Sequence, residues 1–126
     1  MSQQKIKTLI VDDEPLARSG LRLRLEKFDD VEVVAECQNG LDAVSMISQH
    51  RPDLVFLDIQ MPGLNGFQVI NKLKELKQPI PMIIFVTAYD SYAIKAFDVH
   101  ALDYLLNPAD DERLSAAIKK VHEYFA

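Results

Sequence analysis

The sequence predicts an α/β fold, a doubly wound parallel sheet of five strands covered on both faces by five helices. Three observations carry that expectation. Short, nearly continuous apolar runs recur along the chain, as strands buried on both faces require. Between them lie segments whose apolar residues repeat at three- and four-residue spacing, the period of an amphipathic helix. The two kinds of segment alternate throughout, and right-handed crossovers then leave few topologies.

The first strand is Ile6 to Val11, which stops at Asp12-Asp13-Glu14-Pro15. Pro15 suits the first turn of a helix, where a missing N–H loses no partner. Ala17, Leu21, Leu25 and Phe28 supply that helix with an apolar face and leave Arg18, Arg22 and Arg24 for the outer surface. Val31 to Ala35 is the second strand, followed by Glu36-Cys37-Gln38-Asn39-Gly40 as a turn with Asn-Gly chemistry. Leu41, Val44 and Ile47 mark a second helix ending near His50, with Pro52 as its stop signal. Leu54 to Leu57 is a fully apolar third strand that ends in Asp58, and Pro62, Gly63 and Gly66 then break the chain into a loop. Val69, Leu73 and Leu76 mark the third helix, closed by Gln78-Pro79-Ile80-Pro81. Met82 to Val86 is the fourth strand, ending at Thr87-Ala88, and a weaker helical segment carries Ala93, Ala96 and Phe97. Ala101 to Leu106 is the fifth strand, broken by Asn107-Pro108, and Leu114, Ile118, Val121 and Phe125 form the apolar face of a terminal helix.

With 126 residues, 48% of them hydrophobic, the chain has the size of one domain and can bury a core without disulfides or a structural metal. Its formal charge of −5 and its scattered Lys and Arg offer no face suited to a phosphate backbone, so nucleic-acid binding by this segment itself is not expected. The single Cys37 excludes an internal disulfide and is expected as a buried small side chain in a reducing, cytoplasmic protein. No run approaches a membrane span, and the N-terminus lacks the apolar core of a signal peptide.

In open sheets of this kind the ligand crevice lies beyond the carboxyl ends of the strands, where the strand order reverses. Asp12, Asp13, Asp58, Thr87 and Asn107 all stand at such ends, so the fold brings them together. Alone, Asp58 would be an ordinary turn residue and Thr87 an ordinary β-branched strand residue. Together, three carboxylates in one crevice repel one another, and a hard divalent cation held by oxygen ligands relieves that repulsion. Mg²⁺ fits best, since it keeps waters and phosphate oxygens beside a few protein ligands. Beside such an ion a protruding carboxylate can accept a phosphoryl group, with Asp58 as the nucleophile and the Thr87 hydroxyl as a donor to a phosphoryl oxygen.

Val11-Asp12-Asp13-Glu14-Pro15, Asp53 through Gly66, Phe85-Val86-Thr87-Ala88 and Asp103-Tyr104-Leu105-Leu106-Asn107-Pro108 together resemble a response-regulator receiver domain over nearly the whole chain. The stretches Ala88 to Phe97 and Ala101 to Leu106 are similar, more narrowly, to LytTR-type DNA-binding regulators. The resemblance implies a flavodoxin/CheY-like sheet of order 2-1-3-4-5 and one receiver domain over residues 1–126 without its effector domain. It further implies that Asp58 takes phosphate from a histidine kinase or acetyl phosphate. Asp13 would bind Mg²⁺ directly, Asp12 largely through water, and Asp58 and the backbone carbonyl of Gln60 would complete the protein ligands. Thr87 would move toward the phosphoryl group and Tyr104 would follow, altering the surface of the fourth helix, fifth strand and last helix, through which a homodimer could form.

One position departs from the pattern. Asn107 stands where the family carries lysine, and Ala109 where an aromatic is frequent. A neutral donor is roughly half as strong as a charged one, so phosphorylation or its coupling to Tyr104 is expected to be weakened while Mg²⁺ binding survives. A receiver working by protein contact alone is the first rival function. The second is a Mg²⁺-dependent phosphatase, but such an enzyme needs a second carboxylate where Gln60 stands, so no enzymatic turnover is expected. His50, His100 and His122 are too scattered for a metal set, and Asp110-Asp111-Glu112 suits the first turn of the last helix. Tyr89 and Tyr92 flank the crevice mouth, where gating, partner contact and plain surface packing are all open readings.

Overall fold

A computed structural model describes residues 4–125. The elements are β1 (Ile6–Val11), α1 (Pro15–Leu25), β2 (Val31–Cys37), α2 (Gly40–His50), β3 (Leu54–Leu57), α3 (Gly66–Glu75), β4 (Met82–Thr87), α4 (Ala93–Asp98), β5 (Asp103–Leu106) and α5 (Asp111–Phe125). The strands form one parallel sheet of order β2-β1-β3-β4-β5. The order reverses between β1 and β3. Val11 pairs with Leu57, so Asp12 and Asp58 leave their strands side by side. Leu57 pairs with Phe85, and Thr87 with Leu106, which sets Thr87 and Asn107 along the same rim.

The alternation of side chains along each strand divides the core into two layers. Leu9, Val11, Val55, Leu57, Ile83 and Phe85 pack beneath α2, α3 and the buried Ala96 of α4. Ile6, Ile10, Leu54, Phe56, Ile84 and Leu105 pack on the other face against Leu25 of α1 and Leu114, Ala117, Ile118 and Val121 of α5. All four residues of β3 are buried, which explains why the sequence shows no polar alternation there.

Several expected boundaries and faces differ. Strand β2 continues through Glu36 and Cys37, because these pair with Ile10 and Val11 after a register shift at Thr8/Leu9. Helix α1 ends at Leu25, and Phe28 packs from the turn beyond it. Strand β5 begins at Asp103, two residues after the expected start. Of the three apolar residues named for α4, Ala96 is buried, but Ala93 is exposed and Phe97 is 83% exposed. Leu41 at the start of α2 is likewise exposed, and Ala43 takes its place in the core. Arg18 and Arg24 do not simply face outward. Arg18 pairs with Glu36, and Arg24 with Asp111 and the backbone carbonyl of Ala109. Cys37 is buried as expected, and burial pushes its thiol up to about 12.

Candidate functional site

Asp12, Asp13, Glu14, Asp58, Gln60, Thr87, Ala88, Tyr89 and Asn107 line one crevice at the carboxyl rim of the sheet. It sits at the reversal in strand order, between the loops that follow β1 and β3. The backbone there is tightly specified. Asp12 N–H donates to the carbonyl of Cys37 at 3.1 Å, and Asp58 N–H to that of Val11 at 2.9 Å, so each carboxylate leaves a strand that is still held in the ladder. Gly66 opens α3 so close to this rim that a Cβ there would stand 2.7 Å from the Asp58 carbonyl oxygen. Asn65 caps the same helix in a reciprocal box with Gln68 and fixes the far end of the loop.

Carboxylate oxygens of Asp12, Asp13 and Asp58 lie within 4.8 Å of one another. At an effective dielectric constant of about 20, two like charges at that separation cost about 3 kcal/mol. Burial, then the charges of Asp12 and Asp13, push the Asp58 carboxyl up to about 7, against the pull of the Ile59 and Gln60 amides. Asp12 is also raised, first by burial, although the Glu14 amide bonds its carboxylate at 2.9 Å. Among the described residues no Lys or Arg forms an ion pair with the three. Arg18 comes near but donates to the main-chain oxygen of Asp12, at 2.6 Å. Converging oxygen donors and excess negative charge, with no ion pair to any of the three among the described residues, suit a hard divalent ion.

Thr87 is buried at the crevice wall, and its hydroxyl oxygen accepts from the Tyr89 amide at 3.3 Å. The Tyr104 hydroxyl donates to the carbonyl of the same Tyr89. One residue of the β4–α4 loop therefore touches both the crevice threonine and the tyrosine of β5. Tyr104 itself does not line the crevice. Asn107 is exposed at its edge, held by its amide to the Thr87 carbonyl at 2.7 Å.

The sequence-derived candidates Asp12, Asp13, Asp58, Gln60, Thr87 and Asn107 thus meet in one place. Three features were not foreseen. Tyr92 was placed at the crevice mouth with its role open, and the unforeseen feature is that its hydroxyl accepts from Gln60 Nε2 at 2.9 Å. Lys95 turns away to sit over the Phe67 ring, 4.6 Å from its centroid. Asp103 is held by Arg113 at 2.5 Å and Lys120 at 3.4 Å, and the seven-residue spacing of those cations on α5 was the available signal.

Residues 8–119 match the family model described as response regulator receiver domain. The transcriptional regulatory protein BtsR of Salmonella typhi is 48% identical over 118 residues, 94% of this chain and 48% of that protein. The sensory transduction protein LytT of Bacillus cereus is 50% identical over 115 residues, 91% of this chain and 46% of that protein. The chain therefore spans about half the length of these curated relatives. Among solved structures, the REC domain of AraT, a response regulator from Geobacillus stearothermophilus, superposes with a TM-score of 0.83 at 38% identity, over 94% of each chain. The response regulatory domain of mrkE from Klebsiella pneumoniae gives 0.83 at 31% identity, over 93% of this chain and 95% of that one.

Proposed function

Because this chain belongs to the response regulator receiver domain family, we propose that it is the phosphoacceptor switch of a two-component system, charged on Asp58 by a histidine kinase or by acetyl phosphate. The observation that carries this reading is the convergence of three carboxylates at the sheet rim, none of them in an ion pair among the described residues. In it Asp13, Asp58 and the Gln60 carbonyl would hold Mg²⁺, with Asp12 assisting largely through water. When bound, the ion supplies positive charge to the phosphoryl oxygens.

A carboxylate oxygen of Asp58 bonds to phosphorus as the bond to the donor breaks in line, and the leaving group keeps the electron pair. The Thr87 hydroxyl turns to a phosphoryl oxygen and gives up the Tyr89 amide. The Tyr104 hydroxyl, bound to the Tyr89 carbonyl, registers that change. The output surface is formed by α4, β5 and α5. Its exposed Ile94, Phe97 and Leu106 support a homodimer there, and the LytT and BtsR relatives support a LytTR-type DNA-binding output supplied by an effector domain in a longer protein. The chain works in the cytoplasm and is not itself an enzyme, since Gln60 offers no acid for turnover.

The test is intact mass after incubation with acetyl phosphate and Mg²⁺, beside Asp58→Asn and metal-free controls. An adduct needing both Asp58 and the ion supports the switch. Asn107, in place of a charged donor, favours one other reading, a receiver that signals by protein contact without phosphate. Mg²⁺ binding with no adduct in the native chain would establish that reading instead. Hydrolysis of a generic phosphomonoester is expected from neither.

A further inference from the structure

We propose that Tyr92 is a positioning residue that holds a two-part gate, Gln60 and Tyr89, over the Asp58 crevice and so sets how fast phosphate both enters and leaves. This rests on the phosphoacceptor reading above. Gln60 and Tyr89 line the crevice, are exposed, and come from the loops after the neighbouring strands β3 and β4. Tyr92 does not line it, yet it touches both. Its hydroxyl accepts from Gln60 Nε2 at 2.9 Å, and its ring meets Tyr89 edge-on, with centroids 6.4 Å apart and planes at 82°.

Tyr92 is itself anchored from within. Its ring packs on Phe67 at 6.0 Å, and Phe67 packs on the buried Phe85 at 5.0 Å and lies under Lys95. A half-buried tyrosine fixed at its ring thus fastens two exposed side chains that are otherwise free to swing. Aromatic pairs of this kind and one neutral hydrogen bond are each worth on the order of a factor of several in an equilibrium.

The position of the gate dictates a specific kinetic signature. In phosphorylation the donor's leaving group departs opposite the attacking Asp58 oxygen. In hydrolysis, water adds its oxygen to phosphorus from that same side, and the bond to Asp58 breaks with the electron pair returning to the carboxylate. Inorganic phosphate then leaves with one of the water's protons while the other passes to solvent. Both steps use one approach, so a gate across it slows both by a common factor and leaves the steady-state phosphorylated fraction unchanged.

The experiment compares the native chain with Tyr92→Phe, which deletes the hydroxyl and keeps the ring. The phosphorylation rate with acetyl phosphate and Mg²⁺ and the rate of phosphate loss after donor removal are both measured by intact mass, with Tm as the control for folding. The gate requires both rates to rise together, by about 2- to 10-fold, with Tm and the steady-state fraction nearly unchanged. Gln60→Leu should act similarly, and the double variant should exceed neither single one. Unmoved rates, rates that move apart, or a joint fall accompanied by a lower Tm would overturn the gate. Absence of any adduct in the native chain would instead overturn the phosphoacceptor reading on which it rests.

Discussion

Asp58, half-buried at the carboxyl end of β3, and Asp103, buried at the amino end of β5, are carboxylates of the same sheet that meet opposite company. Asp58 faces Asp12 and Asp13, and burial together with those charges raises its carboxyl to about 7. Burial would raise Asp103 as well, but the Arg113 hydrogen bonds, the Tyr104 amide and Lys120 outweigh it and hold that carboxyl below the ordinary range. Folding has solved the charge problem at one end of the sheet and left it unsolved at the other. The paired carboxylate fastens β5 to α5, whereas the other set converges in a way suited to a cation.

The largest effect that could break this contrast is loss of chemistry. Asp58→Asn should abolish phosphate uptake by intact mass, while Asp103→Asn should retain it at temperatures where that variant is folded. Next comes a difference in sign. In urea unfolding of the metal-free chain, Asp103→Asn should lower stability by about 1–3 kcal/mol, since it strands Arg113 and Lys120. The exposure of those two cations, 42% and 47%, keeps the loss from being larger. Asp58→Asn should raise stability at neutral pH by about 1 kcal/mol, because it removes a charge disfavoured first by burial and then by its like-charged neighbours.

A smaller effect is pH dependence. The folded metal-free chain binds more protons at Asp58 than the unfolded chain does between about pH 4 and pH 7, so this group's contribution to stability falls as pH rises through that window. Asp103 works the other way, contributing above the ordinary carboxylate range and losing that contribution as pH falls through its lowered value. Saturating Mg²⁺, or Asp58→Asn, should remove the first slope from urea midpoints measured across pH 4 to 8, whereas the second slope lies below about pH 4 and should persist there. The smallest change expected is from Asn107→Lys, which should speed acetyl phosphate uptake by about 3- to 10-fold through one charge-assisted bond and leave the Mg²⁺ requirement intact. An unchanged rate, with an unchanged response at Tyr104, would show that the asparagine costs the site nothing.

Much of this was legible in the chain itself. Buried parallel strands have to be apolar throughout, so Leu54 to Leu57 and its neighbours declared themselves, and the polar residues that end them marked the rim. What escaped notice depended on partners distant in sequence. Glu36 and Cys37 look like a turn until their pairing with Ile10 and Val11 is known. The six residues of α4 are too few for periodicity to fix a phase, so the pattern could not tell the buried Ala96 from the exposed Phe97. Tyr92 owes its place to Gln60, 32 residues away, and no local pattern encodes that bond.

The clamp on Asp103 has a consequence for timing. Arg113 also reaches the Tyr104 carbonyl at 3.2 Å, and the Asp103 carboxylate accepts the Tyr104 amide at 2.8 Å. The main chain of Tyr104 is therefore gripped at both its donor and its acceptor, while its side chain hangs from the Tyr89 carbonyl. A free rotamer on so fixed a backbone would turn in picoseconds to nanoseconds, but a ring tied to a loop turns only as often as the loop releases it, in nanoseconds to microseconds. In the proposed switch, the β4–α4 loop would set the clock for Tyr104.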